Sequence, residues 1–185
     1  MRQTRMPWGV IGGVAALVLV ADQLTKAWIR AHIPMYDAIY PLPWARAFFR
    51  LTHLTNTGVA FGFFRDSSLL FVLIGAVIFL TVLLYAHHLP WQRRGVQIAV
   101  GLQLGGALGN LLDRMLRGQV TDFLDFFLVR GERVYHYPPF NLADAAIVVG
   151  VVILILCLWR EEREASRAVT LNEPEWGTEG PHGQG

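Results

Sequence analysis

Long, uninterrupted apolar blocks organise the chain, rather than a stripe recurring every three or four residues. Four blocks, at about 8–29, 68–87, 96–116 and 141–159, each reach the roughly 20 residues a helix needs to cross a bilayer at ~1.5 Å per residue. The pattern predicts an all-α membrane protein: one domain over residues 1–160, with four transmembrane helices. Two longer segments, 30–67 and 117–140, separate them. In the first, residues 48–56 alternate loosely and run into Asn56-Thr57-Gly58, which reads as a strand and a turn. In the second, residues 119–129 and 134–137 flank Gly131-Glu132, which predicts a small hairpin. From residue 161 to 185 the chain is polar, rich in Gly and Glu and without apolar period, and a disordered tail is expected.

Composition agrees with the blocks. Of 185 residues, 54% are hydrophobic and only 16% charged, too little polar surface for a domain of this size in water. The net charge of +2 implies no nucleic-acid partner, because the arginines flank the apolar blocks. Arg2 and Arg5, Arg93 and Arg94, and Arg160, Arg163 and Arg167 cluster in short flanks that fall on one side of a four-helix layout. By the positive-inside rule that side is the cytoplasm, with both termini there and the two longer segments outside. The first block carries Asp22, Gln23 and Lys26 and lacks a clear small-x-small cleavage site, so it reads as a retained helix rather than a removable signal. One cysteine, Cys157, excludes an internal disulfide framework. The six histidines show no metal-ligand spacing, and no metal or cofactor is expected. Glycines 101, 105 and 109, at steps of four, read as a close helix–helix contact.

Polar residues inside the blocks carry the candidate chemistry. An Asp in mid-helix costs ~2.5–3.5 kcal/mol on insertion scales, so it needs a partner or a task. Asp22 and Lys26 come late in the first block, Asn110, Asp113 and Arg114 late in the third, and Asn141 and Asp144 early in the fourth. With both termini inside, all of these lie toward the outer face, which suggests one shared polar site. Plain structural accounts also exist. Asp22 and Lys26 fit an i,i+4 ion pair. Asn110 and Arg114 share that spacing, and Arg114 can snorkel to the head groups. Asn141 and Asp144 fit a capping box, and Asp122 fits a turn acid. Spacing alone does not choose between these readings.

The motifs say more. Asp22-Gln23-Leu24-Thr25-Lys26 resembles the D-Q-x-[ST]-K signature of bacterial lipoprotein signal peptidases (signal peptidase II). Asn56-Thr57-Gly58-Val59-Ala60-Phe61 is similar to that family's N-x-G-x-A-F. Gly105-Gly106-Ala107-Leu108-Gly109-Asn110-Leu111-Leu112-Asp113-Arg114 resembles its G-G-x-x-G-N-x-x-D-R. Gly118-Gln119-Val120-Thr121-Asp122-Phe123 and Phe140-Asn141-Leu142-Ala143-Asp144 resemble G-x-V-x-D-F and F-N-x-A-D. These motifs stand in the family's order over residues 22–144. Tyr137-Pro138-Pro139 ahead of Phe140, and a longer C-terminal tail, depart from the usual pattern.

The resemblance implies an aspartic endopeptidase with Asp122 and Asp144 as the catalytic pair; the motif, not the spacing, selects Asp122 over Asp125. It implies supporting roles for Asp22, Lys26, Asn56, Gly58, Asn110, Arg114 and Asn141. It further implies a small β-rich cradle outside the membrane and an extended segment ahead of the fourth helix. The implied substrates are diacylglyceryl-modified prolipoproteins, cut before the lipidated cysteine by a monomer that otherwise contacts only membrane lipids. Two rival readings use the same polar residues: a small membrane transporter, and a non-catalytic lipid-binding helix bundle. A transporter would be expected to place its polar groups near mid-membrane and often to show an internal repeat, and neither is visible. A plain bundle accounts for the glycines but not for the ordered motifs.

Overall fold

The computed structural model describes residues 7–57 and 89–171. Three long helices carry the apolar blocks that fall within this range: α1 (Trp8–His32), α2 (Arg94–Arg117) and α3 (Leu142–Leu171). At ~1.5 Å per residue, the 25 residues of α1 span about 37 Å, more than a hydrocarbon core. The expected helix at 68–87 lies outside the described residues.

Burial is inverted relative to a water-soluble protein. Leu17 is 70% exposed and Leu24 65%, whereas Asp22, Lys26 and Asp113 are fully buried. Apolar side chains face outward along α1 and α3, and charges face inward, which is the arrangement a bilayer demands. The described chain is thus that of an integral membrane protein.

Helix α2 lies against both α1 and α3, and glycines permit the approach. A Cβ at Gly105 would stand 2.6 Å from the Ala15 carbonyl oxygen, and one at Gly101 would stand 2.9 Å from that of Ile11. The expectation of close helix contact at this glycine series therefore holds. Gly109 differs in its neighbour: a Cβ there would sit 2.6 Å from Asp22 Oδ2, so this glycine makes room for a carboxylate. Helix α2 ends at Gly118, whose left-handed φ of 73° turns the chain while its N–H donates to the Arg114 carbonyl at 2.9 Å.

A four-stranded antiparallel sheet, in order β1-β2-β3-β4, covers one end of the helices. Its strands are β1 (Ala38–Ile39), β2 (Phe49–Asn56), β3 (Val120–Arg130) and β4 (Arg133–His136). The expected strand at 48–56 and the hairpin about Gly131-Glu132 are present within a residue or two. The register sets Leu54 opposite Asp122 and Asn56 opposite Val120, with an irregularity between Leu51 and Leu54. After β4 the chain returns along β3. Phe140 exchanges both backbone hydrogen bonds with Leu124, at 2.8 and 3.1 Å, so the segment implied to be extended is held straight into α3. Ile29, Ile33 and Phe123 form the apolar cluster that seats the sheet on the helix ends, with Leu51, Leu124 and Leu142 packed around it.

One expectation is corrected. The chain does not lose order at residue 161, because α3 runs on to Leu171. Glu, Ala and Arg are good helix formers, Arg93 pairs with Glu164, and the Arg163 guanidinium lies 3.8 Å over the Trp159 ring. The remainder of the expected tail, 172–185, lies outside the described residues.

Candidate active site

Six elements deliver polar groups to the end of the bundle that the sheet covers. Helix α1 supplies Asp22 and Lys26 one turn apart, and α2 supplies Asn110 and Asp113. Strand β2 ends in Asn56, β3 carries Asp122 near its start, the extended segment ends in Asn141, and α3 carries Asp144 in its first turn.

The start of α3 is a capping box. Asn141 Oδ1 accepts the Asp144 backbone N–H at 3.0 Å, and Asp144 Oδ2 accepts the Asn141 N–H at 3.2 Å. The structural account of these two residues is therefore correct, but it is incomplete. Asn141 Nδ2 also donates to Asp122 Oδ1 at 2.8 Å, so one asparagine touches both aspartates. Asn56 Nδ2 donates to the other oxygen of Asp122 at 3.2 Å, and Asn110 Nδ2 donates to Asp144 Oδ1 at 2.7 Å.

Behind Asn110 sits a closed ionic cluster. Lys26 Nζ lies 2.8 Å from Asp22 Oδ2 and 3.1 Å from Asp113 Oδ2, and donates to Asn110 Oδ1 at 2.8 Å. Asp22 Oδ1 in turn accepts the Ala143 backbone N–H at 3.0 Å, which ties α1 to the first turn of α3. The i,i+4 ion pair expected of Asp22 and Lys26 is thus present, as one edge of a larger network.

Burial dominates the electrostatics of Asp122. Asp122 is buried, and burial followed by the nearby charge of Asp144 pushes its carboxyl up to about 7. The amides of Asn141 and Asn56 act in the opposite direction by donating to the ionised form. Asp144 is half-buried and stands at a helix N-terminus, where partial positive charge gathers.

Of the other expected residues, Arg114 is half-buried and, among the described residues, makes a long contact, Nη1 to the Asn110 carbonyl at 3.5 Å. Gly58 lies outside the described residues. Several residues not singled out for the site belong to its surroundings. Arg30 Nη1 donates to Thr121 Oγ1 at 3.1 Å and stands 3.7 Å from Asp113 Oδ1, and Arg117 pairs with the same oxygen at 3.0 Å. The four-residue steps Asp22, Lys26, Arg30 and Asp113, Arg117 were the available signal. Asp125, the aspartate left aside, is buried between Arg50 Nε at 2.6 Å and His136 Nδ1 at 3.0 Å. It braces the sheet and stands apart from the Asp122–Asn141–Asp144 chain of contacts.

Fold and site together define an integral membrane protein whose acid–base groups are gathered where helix ends meet a small sheet. Comparison with known proteins specifies the class. A family model described as Signal peptidase (SPase) II matches residues 14–160. The lipoprotein signal peptidase of Pseudomonas aeruginosa (strain UCBPP-PA14) is 41% identical over 168 residues, covering 89% of this chain and 94% of that protein. The lipoprotein signal peptidase of Shewanella amazonensis (strain ATCC BAA-1098 / SB2B) is 37% identical over 162 residues, covering 84% and 90%. A solved bacterial membrane enzyme superposes with a TM-score of 0.63 at 28% identity, over 85% of this chain and 97% of that one. The chain belongs to the signal peptidase II family of membrane peptidases.

Proposed function

We propose that this protein is an aspartic endopeptidase that removes signal peptides from diacylglyceryl-modified prolipoproteins, cutting before the lipidated cysteine. The observation that carries the reading is the double attachment of Asn141, to Asp122 and to Asp144, which holds two carboxyls in one site. The relatives named lipoprotein signal peptidase supply the substrate class.

Hydrolysis of a peptide bond needs a base for water and an acid for the leaving amine, and a carboxyl pair sharing one proton supplies both. Asp122, raised to about 7, lets the pair hold one shared proton near neutrality. The ionised member of the pair takes a proton from water as the oxygen attacks the scissile carbonyl, while the protonated member gives its proton to the carbonyl oxygen. Collapse of the tetrahedral intermediate breaks the C–N bond. The amine leaves with the proton that came from water, and the proton of the intermediate returns to the carboxyl that gave it. Titration belongs to the pair as a unit.

In the same reading the apolar block at 68–87 completes a four-helix bundle, both termini are cytoplasmic, and the sheet lies at the outer surface of the bacterial inner membrane. The signal peptide then lies among the helices while its lipid stays in the bilayer, and the cut bond reaches the plane of Asp122 and Asp144.

The test is cleavage of a purified, lipid-modified prolipoprotein, followed by gel shift in the presence of chelator, for the native chain, Asp122→Asn and Asp144→Asn. Cleavage by the native chain alone supports the aspartic pair. Normal turnover by either variant overturns it. No cleavage by a folded native chain returns the transporter and lipid-binding readings.

A further inference from the structure

We propose that Lys26 is a positioning residue for cleavage: its ammonium fixes the side-chain amide of Asn110 so that the NH2 group faces Asp144. The inference rests on the aspartic-pair reading above and deepens it.

An ammonium has three N–H donors and no acceptor. Three acceptors surround Lys26 Nζ: Asp22 Oδ2 at 2.8 Å, Asp113 Oδ2 at 3.1 Å and Asn110 Oδ1 at 2.8 Å. The first two are carboxylates, and each is itself held. Asp22 accepts from the Ala143 N–H at 3.0 Å and from the Gln23 amide at 3.2 Å. Asp113 pairs with Arg117 at 3.0 Å and accepts the Thr121 N–H at 3.4 Å. The ammonium is therefore fixed from two sides, with one N–H left for Asn110.

The two ends of an asparagine amide are nearly the same shape, and either can be presented by a half-turn of the side chain. Against a group that only donates, the oxygen alone fits. With Oδ1 turned to Lys26, Nδ2 is directed onto Asp144 Oδ1, at 2.7 Å. The reverse orientation would set an NH2 group against an ammonium and an oxygen against a carboxyl oxygen, and both contacts would be lost. A packing role for Lys26 would be complete with Asp22 and Asp113. The third contact, to a neutral amide whose far end touches Asp144, is what such a role leaves unexplained. Lys26 and Asp22 are both fully buried, and the bare backbone of Gly109 leaves the room that their pairing occupies.

The experiment is a double-mutant cycle on the full chain: Lys26→Met, Asn110→Ala and the pair together. Cleavage of a lipid-modified prolipoprotein gives kcat and KM per folded enzyme, and a circular-dichroism melt gives the folded fraction. Each single change is expected to lower kcat on the order of 10²-fold with KM within a few-fold. The double variant is expected to lose no more than the worse single one, because both act through one amide. Losses in kcat that multiply overturn the inference, since they mean independent effects. Lys26→Gln keeps an N–H for Asn110 and is expected to retain more kcat than Lys26→Met; equal loss overturns the orienting role. If neither Lys26 variant folds, the ammonium serves the fold and the positioning role is overturned. A native chain that does not cleave sinks the peptidase reading first and this inference with it, whereas cleavage with multiplying losses sinks this inference alone.

Discussion

The side-chain amide of Asn141 donates to Asp122 Oδ1 at 2.8 Å across 19 residues of sequence. The same side chain accepts the Asp144 N–H through its oxygen, and the Asn141 backbone N–H donates to Asp144 Oδ2, so the residue that caps α3 also links the two carboxyls. Helix capping and site geometry are one device here, and removing it has two separable consequences. Asn141→Ala is expected to lose ~0.5–2 kcal/mol of stability as a lost cap. It should also lose on the order of 10²-fold in kcat/KM as Asp122 loses its tie to the start of α3 and keeps only that to Asn56 among the described contacts. Asn141→Ser keeps a capping oxygen but is too short to reach Asp122. A melt should show stability largely recovered in the serine variant while the cleavage assay stays low. Recovery of both would mean that Asn141 acts as a cap and nothing more.

The pH profile follows from the same contacts. Burial and the charge of Asp144 raise the Asp122 carboxyl from its ordinary value to about 7. A carboxyl raised in the folded state binds its proton more tightly there than in the unfolded chain. Stability is therefore lost as pH rises from about 4 to about 7 and changes no further above that. On the proposed aspartic-pair mechanism cleavage needs the shared proton, so it should fall above about pH 7 along a one-proton limb in kcat/KM. Asn56 donates to the ionised form, so Asn56→Ala should move that limb to higher pH. A limb that stays in place, or moves down, would remove Asn56 from the electrostatics of Asp122.

Much of the membrane part was legible in the sequence because a span needs only length and apolar content, and both are local. The strand before Asn56 and the hairpin at Gly131-Glu132 were legible for the same reason: alternation and turn residues lie within a few positions. Strand β1 is two residues long and has no period to read. The bonds that build the site join residues far apart, such as Asn56 to Asp122 across 66 positions and Lys26 to Asn110 across 84. No local pattern encodes them. Spacing could place Asp144 in a capping box, which is correct, but could not show that Asn141 also reaches Asp122. The ordered motifs implied only that Asp122, Asn141 and Asp144 belong to one set. The continuation of α3 past Trp159 was missed because its polar sequence has no apolar period, and the support comes from Arg93 on another segment.

Close helix contact makes a graded prediction. A Cβ at Gly105 would stand 2.6 Å from the Ala15 carbonyl oxygen, backbone that cannot step aside without moving α1. Gly12, in contrast, meets nothing among the described residues where a Cβ would go. Gly105→Ala is expected to destabilise by about 1–3 kcal/mol, whereas Gly12→Ala should be neutral or slightly stabilising through helix propensity. Thermal melts of both variants in one detergent would check the order. Equal melting points would mean that α1 and α2 do not meet at Gly105.

The sheet makes the last prediction, through an acid that sits near the site without joining it. Asp125 is buried between Arg50 on β2 and His136 on β4, so a single carboxylate clamps three strands. Both partners are partly exposed, which screens the charges and brings the contribution below that of a fully buried pair. Asp125→Ala should cost about 1–3 kcal/mol, the range for hydrogen bonds lost from a charged group. The loosening should be local, because β4 is held to β3 mainly by the hairpin ladder from Phe127 to Arg130. Limited proteolysis should therefore gain a cut between Arg130 and His136. The pH at which cleavage falls should stay where it is in the native chain, since Asp125 touches neither Asp122 nor Asp144 among the described contacts. A shifted pH limb in this variant would mean that the clamp reaches the carboxyl pair through β3, and Asp125 would then have to be counted with the site.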